Sequence, residues 1–260
     1  MAVRGGDGIQ RIIHDITTSQ FRSKFQDDVL AMKGRVGIGV ISDFEDQPLI
    51  IGSHLGRYAI VTIGVIKNMD ELAQKAFAKK NVHFSEMSGG TINPTELVAT
   101  LINEEASFEE GIQKAQQAIK GSCSLMLLTD QGIYAARDRF GRTPVIVGKK
   151  QDGFAVTLET CAFPNLGYEV ERELGPGEVV LVTEEAVTQK AAPGTVMSIC
   201  SFLWVYYGYP ASSYQGINVE DCRNRCGAAL ARRDDGALAL DRHHITTPSN
   251  LEDEVDLVLL

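Results

Sequence analysis

Apolar and polar positions alternate with a period near two in short runs through the first 66 residues, and this pattern predicts strands. The runs are Ile9–Asp15, Arg35–Ile41, Pro48–Gly52 and Arg57–Ile66, broken by the turns SDFED and SHLG. Met1–Gly8 is glycine-rich and polar and carries no strand expectation. Ser19 reads as the N-cap of a helix that places Phe21, Phe25 and Val29 on one face and stops at Gly34. The period then lengthens. Asn68 opens a helix to about Ala78, with Asp70 and Glu71 in its first turn. Asn93-Pro94-Thr95-Glu96 combines a capping residue, proline at the first helical position and an early glutamate, and Ser107 with Glu110 repeats the capping pattern. Two adjacent helices are expected, over 95–104 and 108–120, with Gly121 as the stop.

The stretch GSCSLMLLTDQGIYAARDRFGRTPVIVGKK, Gly121–Lys150, predicts three strands, at Ser122–Leu128, Ile133–Ala136 and Pro144–Gly148. The DQG turn supplies a glycine where a tight hairpin needs positive φ. In the loop ARDRFGRTP, Asp138 lies among Arg137 and Arg142, and an aspartate beside arginines can be buried because it is paired. Phe154–Leu158, Glu178–Thr183 and Val187–Lys190 continue as strands. Short connections favour antiparallel pairing, so the fold class is α+β, with helices layered on largely antiparallel sheets.

After Met197 the pattern changes. The segment SICSFLWVYYGYPASSYQG holds the sole tryptophan, Trp204, and four of the seven tyrosines, and it leads into a helix from Val219 to about Arg232. Such a segment is most often core or a contact between domains. The remainder is weakly patterned until the apolar run Val255–Leu260.

Composition narrows the partners. The 260 residues are 44% hydrophobic with a formal net charge of −9, enough for a full core and no basic cluster for nucleic acid or an anionic membrane. No run approaches the roughly 20 apolar residues of a membrane span, and MAVRGGDG lacks a signal core, so a cytoplasmic protein is expected. Five cysteines, Cys123, Cys161, Cys200, Cys222 and Cys226, form no zinc-type spacing and read as reduced thiols. Cys222 and Cys226 stand one helical turn apart as small packing residues. His14, His54 and His83 have no acidic partner at ligand spacing, and His243 and His244 sit in the weakly patterned tail, so no metal site is expected.

Several spaced stretches, in order, resemble one family. NPTELVATLI, the whole of Gly121–Lys150, LETCAFPNLGYEVERELGPGEVV and CSFLWVYYGYPASSYQGINVEDCRNRCGAALARR are similar to the glutamine amidotransferase domain of the amidophosphoribosyltransferases. The resemblance covers about residues 5 to 235. It implies a four-layer αββα sandwich of the N-terminal-nucleophile hydrolase type. In that family an N-terminal cysteine attacks the glutamine amide with its own α-amine as base, and ammonia passes to a phosphoribosyltransferase domain. Such chemistry needs a nucleophile, an oxyanion donor and charged clamps for the amino acid.

Most of those residues are replaced. No cysteine precedes Cys123, so catalytic residues are expected to be absent. The family's GHxRYS motif falls on Gly39-Val40-Ile41-Ser42, without its arginine. Placing it on SHLGRYA, Ser53–Ala59, adds a residue and puts Gln47-Pro48 before Arg57 instead of after it. The oxyanion motif HNG falls on Thr62-Ile63-Gly64, and Gly64 alone survives as a substrate-binding remnant. The family's acidic ligand for the substrate amine falls on Pro94 of Asn93-Pro94-Thr95-Glu96.

The resemblance therefore implies an amidotransferase-like domain at 1–196 that lacks its first strand, an aromatic linker and helix at 197–235, and an unmatched tail at 236–260. The transferase half, with the Mg2+ it would use, lies outside the chain, and EDEVDLVLL only faintly resembles its opening strand. Cys200 matches one iron–sulfur ligand of some members, and a single thiol holds no cluster. The expected parent makes phosphoribosylamine from phosphoribosyl pyrophosphate and glutamine or ammonia, as a homo-oligomer. Two alternatives differ in class: a noncatalytic domain that shapes a transferase partner through Phe202–Tyr214, or a hydrolase of another substrate whose nucleophile is exposed by processing.

Overall fold

Strands that are apolar on both faces must be covered twice, and four such strands form the middle of this fold. The computed structural model describes residues 1–17, 21–42, 45–79, 84, 87–88 and 91–234. Its elements begin with β1 Ala2–Gly5, β2 Gly8–Arg11, α1 Phe21–Ala31, β3 Val36–Ile38, β4 Leu49–Ser53, β5 Gly56–Ile66, α2 Met69–Ala78, β6 Met87–Ser88 and β7 Thr91–Ile92. There follow α3 Pro94–Ile102, α4 Phe108–Ala118, β8 Gly121–Thr129, β9 Gly132–Ala136, β10 Ile146–Lys150, β11 Gly153–Thr157, α5 Ala162–Leu166, β12 Glu169–Glu173, β13 Val179–Val182 and β14 Val187–Ala191. A π-helical turn at Leu203–Tyr207, β15 Ser213–Tyr214, β16 Ile217–Asn218 and α6 Val219–Asp234 complete the order.

A six-stranded antiparallel sheet, β14-β13-β9-β8-β5-β4, is the first sheet layer. Its period-two pattern divides its side chains between two cores. Tyr58, Ile60, Leu125, Leu127, Tyr134, Ala136, Val179 and Leu181 meet Leu97, Val98, Ile102 and Ile112 of α3 and α4. The intervening residues point the other way. Ala59, Val61 and Leu128 meet Ala2 and Ile38, whereas Ala135, Val180 and Val182 meet Val145 and Val147. The second sheet layer is accordingly two three-stranded pieces, β2-β1-β3 and β11-β10-β12. Beyond the latter, Ile146 packs with Phe163, Leu203, Trp204, Tyr214 and Val219 as the outer helical layer. The layers are those of the αββα sandwich, and the caps behave as the sequence implies. Asn93 Oδ1 accepts from the N–H groups of Thr95 and Glu96, and Ser107 Oγ accepts from that of Glu110.

Three local expectations change. Met1–Gly8 does not stay irregular: β1 is the middle strand of its sheet, Ala2 is fully buried, and Arg4 donates to the carbonyl of Thr129. Low hydrophobicity misled here, because a strand set against a close neighbour needs small residues rather than large ones. The third strand of the central stretch starts at Ile146 and leaves the sheet of the first two. The charged β12, EVERE, escaped notice because its polar residues occupy an edge, where charge discourages further pairing. The Ser19 cap falls outside the described residues, as does the tail from 235 onward.

The loop ARDRFGRTP is the crossing between the sheet layers. Arg137 and Asp138 are both buried, but they do not neutralise each other as a direct pair. Asp138 accepts from the N–H groups of Phe140 and Thr143, both at 3.1 Å, while its own N–H donates to Ser124 Oγ. Arg137 meets Glu173 of β12 at 3.2 Å and donates to the carbonyls of Leu174 and Gly141. Arg142 instead lies over the Phe140 ring. The aspartate shapes the loop, and the arginine clamps it to the second layer.

Candidate functional site

Three of the stretches that carry the degenerate motifs are brought together near the C-terminal half of β5. The loop after β3 delivers Val40–Ser42 and then Glu45–Pro48, β5 delivers Thr62 and Gly64, and the start of α3 delivers Asn93–Thr95. Gln47 carries the junction. Its Oε1 accepts from the Thr62 N–H at 2.7 Å, and its Nε2 donates to the Thr62 carbonyl at 3.2 Å and to Glu45 at 3.0 Å. The side chain thus serves β5 as a neighbouring strand would. Thr62 Oγ1 meets Thr95 Oγ1 at 2.6 Å, joining the sheet to the helix. Donors and acceptors in this network answer one another.

Glu45 is the acid of the cluster. Burial pushes its carboxyl above the ordinary range, and a hydrogen bond with the Thr95 side chain opposes that shift. Such a group favours the fold while protonated, at pH below its unfolded pKa, and loses that contribution as pH rises through the folded value. Glu45→Gln is therefore expected to raise Tm at pH 7 and to leave Tm unchanged at pH 3.5. Thermal melts at the two pH values check this, and a lower Tm at pH 7 would mean that the ionised carboxylate is favourable.

Among the described residues, the cysteine nearest the cluster in the sheet is a poor nucleophile. Cys123, the Cα partner of Gly64 across the β5–β8 ladder, is buried, and burial together with Asp138 and Glu45 pushes its thiol up to about 12. It stays protonated near neutrality, which makes it a poor attacking group. The adjoining crevice, about 70 Å³, is walled by Val40, Val61, Ile63, Leu125 and Met126 with Gly39. Its lining includes no charged side chain to hold an amino acid's carboxylate or amine.

Gly64 does sit in the cluster's strand, at φ +145°, where a Cβ would lie 2.1 Å from the Ser122 carbonyl oxygen. Packing against β8 alone is enough to demand glycine there. Arg57 stands five residues before Thr62 on β5, about 17 Å along a strand, and is exposed. The motif placement on Ser53–Ala59 is therefore remote from the cluster. The roles of Gln47, Glu45 and the Thr62–Thr95 contact were missed. Only the tertiary approach of α3 to β5 makes them neighbours, although a glutamine before a proline between two strands was an available signal.

Among the histidines, His14 does have an acidic partner, since its Nε2 meets Asp28 and its ring packs edge-on against Phe25. Fourteen residues separate the two in sequence, and the chain's fold closes the gap. His54 bonds the Glu105 carbonyl, while His83, His243 and His244 lie outside the described residues. Cys222 is half-buried in the outer core and Cys226 is exposed. Among the described residues no three His, Cys, Asp or Glu side chains converge as a metal site would require, and no helix is long and apolar enough to cross a membrane.

Comparison with known proteins bears on the family and the fold. A family described as "Glutamine amidotransferase domain" matches residues 33–165. The amidophosphoribosyltransferase of Archaeoglobus fulgidus is 27% identical over 187 residues, covering 72% of this chain and 40% of that protein. That of Bacillus subtilis is 29% identical over 190 residues, covering 72% and 39%. The chain thus spans about 40% of the length of these curated relatives. Among solved structures, the B. subtilis glutamine phosphoribosylpyrophosphate amidotransferase complexed with ADP and GMP aligns at TM-score 0.64 and 23% identity, covering 81% of this chain and 53% of that one. A structure described as the allosteric regulatory enzyme of purine biosynthesis aligns at TM-score 0.71 and 24% identity, covering 89% and 51%. The structural matches establish the N-terminal-nucleophile sandwich as the fold.

Proposed function

Since this chain belongs to the glutamine amidotransferase domain family, we propose that it is the amidotransferase-like domain of an amidophosphoribosyltransferase-type protein whose glutaminase centre is degenerate. The parent would act at the opening of purine synthesis in the cytoplasm, as a homo-oligomer. It would form phosphoribosylamine from phosphoribosyl pyrophosphate and glutamine or free ammonia. One observation carries the reading: the motif positions converge on a network of Gln47, Thr62, Thr95 and Glu45 that satisfies itself, with Val40, Ser42 and Ile63 where the family has histidine, arginine and asparagine. Mg2+ would belong to the transferase half of the parent.

Ammonia release from glutamine, followed by coupled reduction of 2-oxoglutarate, is expected to equal the protein-free blank. Turnover that survives replacement of all five cysteines would overturn the nucleophile argument. Turnover lost with one cysteine would place a working nucleophile at that residue.

A second reading, that the domain shapes or regulates a transferase domain without catalysis of its own, is favoured by the aromatic segment. Phe202, Tyr206, Tyr207 and Tyr209 are each more than half exposed, whereas Trp204 is buried and donates to the Ile217 carbonyl. Four exposed aromatics on one short segment suit a protein contact. Co-purification with a phosphoribosyltransferase domain is expected to be lost when Tyr206 and Tyr209 become serine. Binding that is indifferent to both would remove this surface from the reading.

A further inference from the structure

Cys222 and Cys226 stand four residues apart on α6, one turn of helix, and so share a face. Their sequence spacing reads as that of small packing residues, but the structure separates them. Cys222 is half-buried against the outer core, whereas Cys226 is exposed and fills no space in it. Burial first, and then the Cys226 thiol, push the Cys222 thiol above its ordinary range, so the two sulfurs interact across the turn.

The charged neighbours on α6 are already engaged. Asp221 pairs with Arg225 at 2.7 Å. Arg223 donates to the carbonyls of Trp204, Tyr206 and Gly208 at 2.8, 2.9 and 2.9 Å, which clamps α6 to the π-helical turn. Among the described residues no third His, Cys, Asp or Glu converges with the pair. What remains is a set of two soft donors on one rigid face.

We propose that Cys222 and Cys226 chelate one soft monovalent cation, copper(I), as a two-coordinate bis-thiolate site. Helix geometry selects this occupant over the alternatives. Residues one turn apart hold their Cβ atoms about 5–6 Å apart, whereas a disulfide needs about 3.8 Å, so an S–S bond would require α6 to tighten. Two thiolate–metal bonds of about 2.3 Å each span up to about 4.6 Å between the sulfurs, which the intact helix can supply. Structural zinc takes four ligands and an iron–sulfur cluster four thiolates, and two donors satisfy neither. Copper(I) is the soft ion that thiolates select without that requirement. On binding, each S–H bond gives its proton to solvent and each sulfur forms one bond to the ion, and no electron changes hands. The ion would brace α6 where it leaves the core, since Val219 is fully buried and Leu230 is 49% exposed.

Copper(I) titration of the full chain tests the proposal. The protein is kept reduced and free of oxygen, carries Cys161→Ser and Cys200→Ser so that the pair supplies its accessible thiols, and competes with a chromogenic copper(I) chelator. One ion per chain is expected. Cys226→Ser removes an exposed side chain and leaves the fold intact, and it is expected to weaken binding about 100-fold or more, because the second sulfur no longer acts within the same molecule. Cys226→Ser combined with Asn224→Cys keeps the number of thiols but turns one away from Cys222, and is expected to bind no better than Cys226→Ser alone. An equal concentration of zinc(II) is expected to leave the copper in place. Undiminished affinity in either variant overturns the proposal, as does displacement by zinc. One ion per two chains, with dimers in sedimentation, also overturns it, because the sulfurs would then come from two molecules.

Discussion

Asp138→Ala is expected to lower the unfolding free energy by about 3 kcal/mol, or roughly 6–12 °C in Tm, for reasons of hydrogen bonding rather than charge pairing. The side chain is 1% exposed and accepts from two backbone N–H groups, those of Phe140 and Thr143. Alanine leaves both donors facing a site that water reaches poorly, at about 1–3 kcal/mol each. Asparagine has a single acceptor oxygen and is expected to recover about half of the loss. Denaturant melts of the two variants separate the accounts. An alanine variant as stable as wild type would show that the loop is not held by these bonds. An asparagine variant as damaged as alanine would show that the negative charge matters, which its neighbour Arg137 could explain.

Gly64→Ala should be at least as damaging, at roughly 3–5 kcal/mol, although glycine to alanine adds only a methyl group. The position combines φ +145°, a region that L residues rarely adopt, with a Cβ 2.1 Å from the Ser122 carbonyl oxygen and 3.0 Å from the Cys123 Cα. The strain and the collision act on the same strand pair, β5 and β8, so relief requires parting the centre of the six-stranded sheet. Gly52→Ala is the matched control, since nothing lies within 4 Å of its Cβ, and it is expected to change stability by less than about 1 kcal/mol. If the Gly64 variant melts like the Gly52 variant, the glycine is not a packing requirement. Its match to the family's oxyanion motif would then need a chemical explanation.

Much of the architecture was legible because it rests on local rules. The capped starts of α3 and α4 are contacts within four residues, and the alternation along β5 and β8 reports directly on which neighbour each side chain meets. The strands that escaped notice, β1 and β12, are a small-residue strand and a charged edge, each lacking the large alternating residues on which such patterns depend. The candidate site divides in the same way. That its motif residues are replaced could be read from Ser42, Ile63 and Pro94 alone. That Gln47, Thr62 and Thr95 close the space between them could not, because 15 and 33 residues of chain separate those partners.

By itself, then, the chain's sequence determined its family and its layered α+β class. Each follows from residue type and short-range spacing. The tertiary structure alone decided that Arg137 answers Glu173 rather than Asp138, that His14 finds Asp28, and that the second sheet layer is parted along a groove. The reason is physical: pairing of buried charges and strand edges depends on which elements approach one another. That approach is set by packing the apolar faces of the whole chain at once.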